Sequence, residues 1–344
     1  MKVLMIGGTG TISSAITRLL SQSGCELYLL NRGNRNKEFP SSVKTISVDI
    51  NQEEEVNRLL GSLSFDTVCE FIGFTREHVE RDYRLFKDRT KQYIYISSAS
   101  AYQKPLADYR ITEATSLANP YWEYSRNKIA CEDFLMEKYR SEGFPVTIVR
   151  PSHTYDERSI PLGVHGKKGS WQVVKRMMEG KPVIIHGDGT SLWTMTHNSD
   201  FAKGFVGLIG NPHAMGQAFQ ITSDETLTWN QIYQSIADAL GVQLHPYYVS
   251  SSFLASVGDF DFTGSLIGDK ANSVVFDNTK LKRAVPGFCA TKSFHQGVKE
   301  TIDYLLSHPE LQKEDAEFDA WCDQVITVLE EAKRKIHVPA AEWR

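Results

Sequence analysis

Tyr124 and Lys128 stand four residues apart in Tyr124-Ser125-Arg126-Asn127-Lys128, a spacing that puts a phenol and an ammonium on one face of a helix. A free phenol titrates near about 10, too high for a base at neutral pH. A cation within about 4–6 Å favours the phenolate and lowers that value, so the pair can move a proton on or off a hydroxyl or carbonyl oxygen. Two solvated surface residues would show the same spacing. A second group adds weight: in Ser97-Ser98-Ala99-Ser100-Ala101-Tyr102, a hydroxyl at Ser98 can hydrogen-bond the oxygen that Tyr124 serves, or cap the end of a strand. A third group opens the chain. The apolar run Val3-Leu4-Met5-Ile6 meets Gly7, Gly8 and Gly10, and Ala15, Ile16, Leu19 and Leu20 follow at helical spacing. Strand, tight turn and helix in that order place helix N-terminal N–H groups where they receive a phosphate.

The elements that must position these groups follow from apolar periodicity. Strands are predicted at 26–30, 43–48, 67–72, 92–96 and 146–149, and helices at 52–60 and 76–89. A long helix is predicted from about Pro120 to Arg140, with Asn119 as its cap. Such βα alternation implies a parallel sheet covered on both faces, a Rossmann-type doubly wound α/β fold. Ligands of such sheets lie beyond the carboxyl ends of the strands, where Asn31, Asp49, Ile72, Ser97, Ser98 and Arg150 fall. After Arg150 the pattern loosens. A helix at 171–179, a short strand at 183–185, a helix capped by Ser199 and running through Ile209, a core strand at 218–221 and a helix at 228–240 are predicted, then short strands and loops over 242–290. Two amphipathic helices close the chain. One carries Phe294, Val298, Ile302 and Leu305; the other carries Phe318, Trp321, Val325, Val328 and Leu329. No repeat or linker separates the halves. The expected division is a nucleotide-binding domain over 1–165, with 198–225 returning to it, and a smaller interleaved substrate-binding region over 166–197 and 226–344.

Composition excludes several classes. Hydrophobic content of 41% and charged content of 23% suit a soluble globular chain. A net charge of -4 gives no electrostatic footprint for nucleic acid or an acidic membrane. No apolar stretch approaches the roughly 18–20 residues of a membrane span. One Lys followed at once by a strand argues against a signal peptide. Five scattered cysteines without a CxxC pair imply reduced thiols in the cytoplasm, with no disulfide framework and no zinc site.

GGTGTIS, Asp49-Ile50, SSASAY, YSRNK, RPSHTY and GDGTSLWTMTH, in this order, resemble the extended short-chain dehydrogenase/reductases, the NAD-dependent epimerase/dehydratase group. The resemblance covers roughly residues 1–225. It implies a Rossmann fold, an NAD(P) cofactor, a small-molecule substrate and a homodimer paired through the helix bearing Tyr124 and the one before it. It makes Ser98, Tyr124 and Lys128 the catalytic residues. Gly7, Gly10, Thr11, Ile12, Asn31, Arg32, Asp49, Ile50, Phe71, Ile72, Tyr124, Lys128, Pro151 and His153 become the cofactor-binding set, with Asp49 on adenine and Lys128 lowering the Tyr124 pKa.

The departures from the group's pattern carry information. Ser13 stands where a third Gly is usual. Asn31 replaces the Asp that binds a ribose 2′-OH in NAD-preferring members, and Arg32 or Arg35 could pair with a 2′-phosphate, so the expectation leans to NADP; Arg32 as a solvated loop residue is the alternative. Ala99 and Ser100 replace the Asp and Glu of the 4,6-dehydratases, which argues against water elimination by that route. Trp193 replaces an Arg that clamps a substrate diphosphate, which puts a nucleotide-diphosphate sugar in doubt. His153 replaces an Asn and meets substrate or packs. His197 and Asp200 read as structural, and Glu70 as a functional or merely satisfied acid. The expected activity is an NAD(P)-dependent oxidoreductase or epimerase working at a hydroxyl or carbonyl. The rival is a non-catalytic nucleotide-sensing or RNA-binding protein on the same fold.

Overall fold

Val3, Leu4, Met5 and Ile6 are fully buried in strand β1 (Lys2–Ile6). A strand with no polar face needs cover on both sides, and successive side chains point to opposite faces. Val3 and Met5 accordingly join Ile16, Phe201 and Phe205 in one core, while Leu4 and Ile6 join Val56, Val79 and Leu135 in another. The computed structural model that shows this describes residues 1–33 and 39–336; Arg35 lies outside the described residues.

Around β1 run β2 (Glu26–Asn31), β3 (Lys44–Ser47), β4 (Thr67–Glu70), β5 (Tyr93–Ile96), β6 (Val146–Pro151) and β7 (Gln217–Ile221). They form a parallel seven-stranded sheet in the order β7-β6-β5-β4-β1-β2-β3. The order reverses between β1 and β4, which opens a crevice at their carboxyl ends. Helices α1 (Thr11–Ser21), α2 (Glu53–Leu60), α3 (Arg76–Phe86), α4 (Glu123–Glu142), α5 (Trp171–Met178) and α6 (Asn198–Leu208) follow in chain order. α1 packs on α6 over one face; α2, α3 and α4 cover the other. The expected doubly wound α/β fold is the observed one.

The remaining chain builds a third core around Trp171, Ile185, Trp229, Phe294 and Phe318. It comprises a parallel pair, Val183–His186 with Pro246–Val249, and helices α7 (Trp229–Leu240), α8 (Ser251–Ser256), α9 (Thr279–Ala284), α10 (Phe294–Ser307) and α11 (Ala316–Lys335). Residues Thr263–Lys270 are π-helical. The stretch 242–290, predicted as short strands and loops, is therefore partly helical, because neighbouring elements supply burial that its local pattern lacks.

Several boundaries differ from expectation for identifiable reasons. β4 ends at Glu70, not Ile72, because the Glu70 carboxyl accepts the Ile72 N–H and turns the chain out of the sheet. α4 starts at Glu123, with Trp122 rather than Asn119 at its N-cap. Asn119 is committed elsewhere: its Nδ2 donates to the Ser100 carbonyl at 2.8 Å and to the Gly268 carbonyl at 2.7 Å. α6 starts at Asn198, and the ring of His197 accepts the Ser199 N–H, so His197 is the cap and Ser199 is not.

Candidate active site

The turn between β1 and α1 is shaped by two glycines with different duties. Gly7 has φ +82°, and a Cβ there would lie 2.5 Å from Ile72 Cγ2, so both conformation and close approach require glycine. Gly10, the N-cap of α1, has φ −82°, and a Cβ on it would meet only Ser13 Oγ, at 3.5 Å. Nothing in the protein presses on Gly10; the space above the first turn of α1 is left open. Ser13 replaces the third glycine without distorting the turn. Its Oγ accepts the Gly10 N–H at 2.9 Å and donates to the Gly7 carbonyl at 2.7 Å.

Three abutting cavities run from this turn across the carboxyl ends of the strands. The first, 540 Å³, is lined by Gly7, Gly10, Asn31, Arg32, Asp49, Ile50 and Ile72 among others. Asn31 Oδ1 accepts the Gly33 N–H at 2.8 Å, and its Nδ2 is buried with no partner among the described residues. The second, 430 Å³, shares Gly7, Gly10 and Ile72 with the first and adds Thr11, Ile12, Phe71, Ser98, Tyr124, Lys128, Pro151 and His153. The third, 360 Å³, shares Ser98, Tyr124, Pro151 and His153 with the second. Every residue singled out as catalytic or cofactor-binding lines this channel. An open cradle at a helix N-terminus, an unpartnered amide donor and a carboxylate at 49 fit the phosphates, ribose and base of a dinucleotide.

Ser98 and Tyr124 form the wall between the second and third cavities. α4 presents Tyr124 and Lys128 on one face, and β5 delivers Ser98 to the same place. The Ser98 hydroxyl lies 2.9 Å from Ser100 Oγ, which accepts from Ser125 Oγ at 2.8 Å. Ser98 also caps the short turn Ala99–Ala101, accepting the Ser100 N–H, which is the capping role expected of it. Lys128 Nζ donates to the carbonyls of Gly73 and Ile96 at 2.7 and 2.8 Å. Burial pushes its pKa down to about 8. The Tyr124 phenol is expected to be lowered by Lys128; in the folded chain burial has the larger effect on it. The ammonium is tied to two carbonyls, 5.8 Å from the Tyr124 ring centroid, and burial raises the phenol despite a hydrogen bond from Ser98 that favours the phenolate.

Other singled-out residues fall into place. Arg150, at a strand end, faces inward and pairs with buried Glu132, which also receives the Ser97 hydroxyl. Asp200 accepts the Lys292 N–H and pairs with Lys203, a packing duty. Glu70 is fully buried beneath the crevice. Burial and the neighbouring Asp82 push its pKa well above the usual carboxylate value. Trp193 lines the third cavity, stacked at 5.7 Å on Trp229. Sequence reasoning missed Lys104, Trp122, Asp269 and Lys270, which complete that cavity. Lys104 lies just beyond the SSASAY stretch, but nothing in the pattern of 263–274 pointed inward. Among the described residues no group of three His, Cys, Asp or Glu side chains could hold a metal, and no helix is long and apolar enough to cross a membrane.

The chain is similar to 2′-dehydrokanamycin reductase of Streptomyces kanamyceticus, 23% identical over 84% of this chain and 80% of the relative. It is also similar to a chloroplast stem-loop binding protein of 41 kDa from Arabidopsis thaliana, 25% identical over 70% of this chain and 63% of the relative. In fold it matches a dTDP-glucose 4,6-dehydratase from Streptomyces venezuelae solved with NAD bound, with a TM-score of 0.71, 19% identity, and coverage of 90% of this chain and 98% of that one. The profile described as the NAD dependent epimerase/dehydratase family matches residues 3–222. With that match over well more than half of its length, and with the glycine turn, serine, tyrosine and lysine along one channel, the chain belongs to the NAD-dependent epimerase/dehydratase family.

Proposed function

We propose that this protein is an NAD(P)-dependent oxidoreductase or epimerase that acts on a hydroxyl or carbonyl of a small, sugar-derived substrate. The observation that carries this reading is the position of Ser98 and Tyr124 on the wall shared by two cavities. Gly7, Gly10, Thr11 and Ile12 would hold the pyrophosphate, Asn31, Arg32, Asp49 and Ile50 the adenosine end, and Lys128, Phe71, Ile72, Pro151 and His153 the nicotinamide end. Bound there, NAD(P) supplies the hydride donor or acceptor. Tyr124, whose phenol burial raises, gives its proton to the substrate oxygen in reduction and takes it back in oxidation. Ser98 orients that oxygen, held in turn by the Ser100 and Ser125 hydroxyls. The domain division given above and a homodimer through α3 and α4 belong to the same proposal. Light scattering on the purified protein tests the dimer.

The test is calorimetric titration with NADH and with NADPH, on the wild type and on Tyr124→Phe, with turnover of keto-sugars followed by nicotinamide absorbance. Tyr124→Phe should lose about 10²–10⁴-fold in kcat with cofactor affinity intact. Retained turnover refutes the proton-transfer role. No nucleotide binding at all, together with tight salt-sensitive RNA binding, would favour the RNA-binding reading to which the chloroplast relative's name points.

A further inference from the structure

The third cavity carries a charge imbalance that proton transfer at Tyr124 does not use. Lys104 and Lys270 both line it, with Asp269 as the carboxylate between them. Lys104 is 3% exposed, and its ammonium has no hydrogen-bond or ion-pair partner among the described residues. Lys270 Nζ is 3.9 Å from Asp269 Oδ2, beyond a hydrogen bond, and 5.7 Å from the Trp122 ring centroid. Two cations, Lys104 buried and Lys270 12% exposed, against one carboxylate, Asp269 at 15%, leave one positive charge uncompensated, which a fold retains at a cost unless a ligand completes the set. Burial lowers both lysines and raises Asp269, so holding these groups charged in the cavity has a desolvation cost.

The cavity wall is built rather than incidental. The Lys270 carbonyl receives Trp229 Nε1 at 3.0 Å and lies 3.2 Å from His186 Nε2, and the Gly268 carbonyl receives Asn119 Nδ2. Asp269 and Lys270 are thus clamped from both sides. Two residues of the same wall, Trp193 and His153, each hold a buried ring nitrogen, Nε1 and Nδ1, with no partner among the described residues. Aromatic faces at Tyr102, Trp122 and Phe276 close the remainder, a surface suited to the C–H face of a sugar ring.

We propose that the substrate carries an anionic group, a carboxylate or a phosphate monoester, which Lys104 and Lys270 bind in this cavity. The proposal deepens, and rests on, the reading of Tyr124 as the proton donor to a sugar-derived substrate. It replaces the diphosphate clamp that Trp193 cannot supply with a clamp on the sugar itself.

The experiment titrates the full chain, saturated with NADH, with glucuronate, glucose 6-phosphate, glucose and UDP-glucose, read by the fluorescence of Trp122 and Trp193. One of the two anionic sugars should bind at least about tenfold more tightly than glucose, and which one does distinguishes carboxylate from phosphate. Lys104→Met and Lys270→Met should each lose about tenfold for that probe, whereas Asp269→Asn, which removes the competing carboxylate, should gain a few-fold. The gain cannot arise from misfolding and keeps the idea testable if a lysine variant fails to fold. Equal binding of glucose and both anions, no binding of either anion, or anion affinity indifferent to all three substitutions overturns the proposal. So does UDP-glucose as the tightest ligand with no dependence on the lysines. NADH titration of each protein is read separately, so a failed cofactor site sinks the oxidoreductase reading without being mistaken for a failed anion site.

Discussion

The two ends of the channel are built from different materials. At the β1–α1 end the surface is backbone and small side chains: a glycine at φ +82°, an open space at Gly10, a serine stitching two main-chain groups. At the far end it is buried charge and aromatic rings contributed by segments distant in sequence: Lys104, Trp122, Trp193 and Asp269-Lys270. A backbone cradle fits the phosphates that every dinucleotide shares. Side-chain charge and shape discriminate, because a mismatched ligand leaves buried polar groups unpaired. One family can therefore keep the first end and vary the second.

That contrast is open to attack at three points. The largest effect belongs to Gly7→Val. A branched Cβ at φ +82° and 2.5 Å from Ile72 should weaken NADH roughly 100-fold, about 3 kcal/mol. The sugar-anion affinity of the far cavity should move by no more than about twofold. Parallel titrations check this, and coupled losses would show that the ends are not separable.

Lys128 gives a pH test of comparable size. Its pKa falls from the ordinary 10.5 to about 8 in the folded chain. Below about pH 8 both folded and unfolded forms hold the proton, and the burial cost is constant. Between the two values the unfolded chain binds the proton that the folded chain has lost, so the stability owed to this residue rises with pH. The wild type should therefore gain on Lys128→Met by about 3 kcal/mol between pH 7.5 and 10.5, read from urea midpoints. A flat difference means that Lys128 titrates as an exposed lysine.

The smallest effect sharpens the cofactor end. Asn31→Asp places a carboxylate where the unpartnered Nδ2 now sits. NADPH should weaken about tenfold through repulsion of its 2′-phosphate, with NADH within about twofold. Equal response of both would remove Asn31 from the ribose site and with it the lean towards NADP.

Legibility in the sequence followed locality. β1 announced itself as four consecutive apolar residues, α4 displayed Tyr124 and Lys128 at one spacing, and the glycine turn sat where strand meets helix. Each signal spans fewer than about ten residues and rests on φ/ψ preference or helical period. Boundaries failed where a distant partner claimed a side chain. Asn119 left the helix N-cap for the carbonyls of Ser100 and Gly268, and Arg150 turned inward to Glu132.

The sequence by itself determined the alternating α/β plan, the glycine turn between strand and helix, and the serine, tyrosine and lysine that line the channel, because those depend on short-range periodicity and residue chemistry. Only the tertiary structure decided the electrostatics. It tied Lys128 to two carbonyls instead of the phenol, raised Tyr124 by burial, and brought Lys104 beside Asp269 and Lys270 across nearly half the chain's length. Burial and long-range proximity set the state of an ionisable group, and neither is a property of its neighbours in sequence.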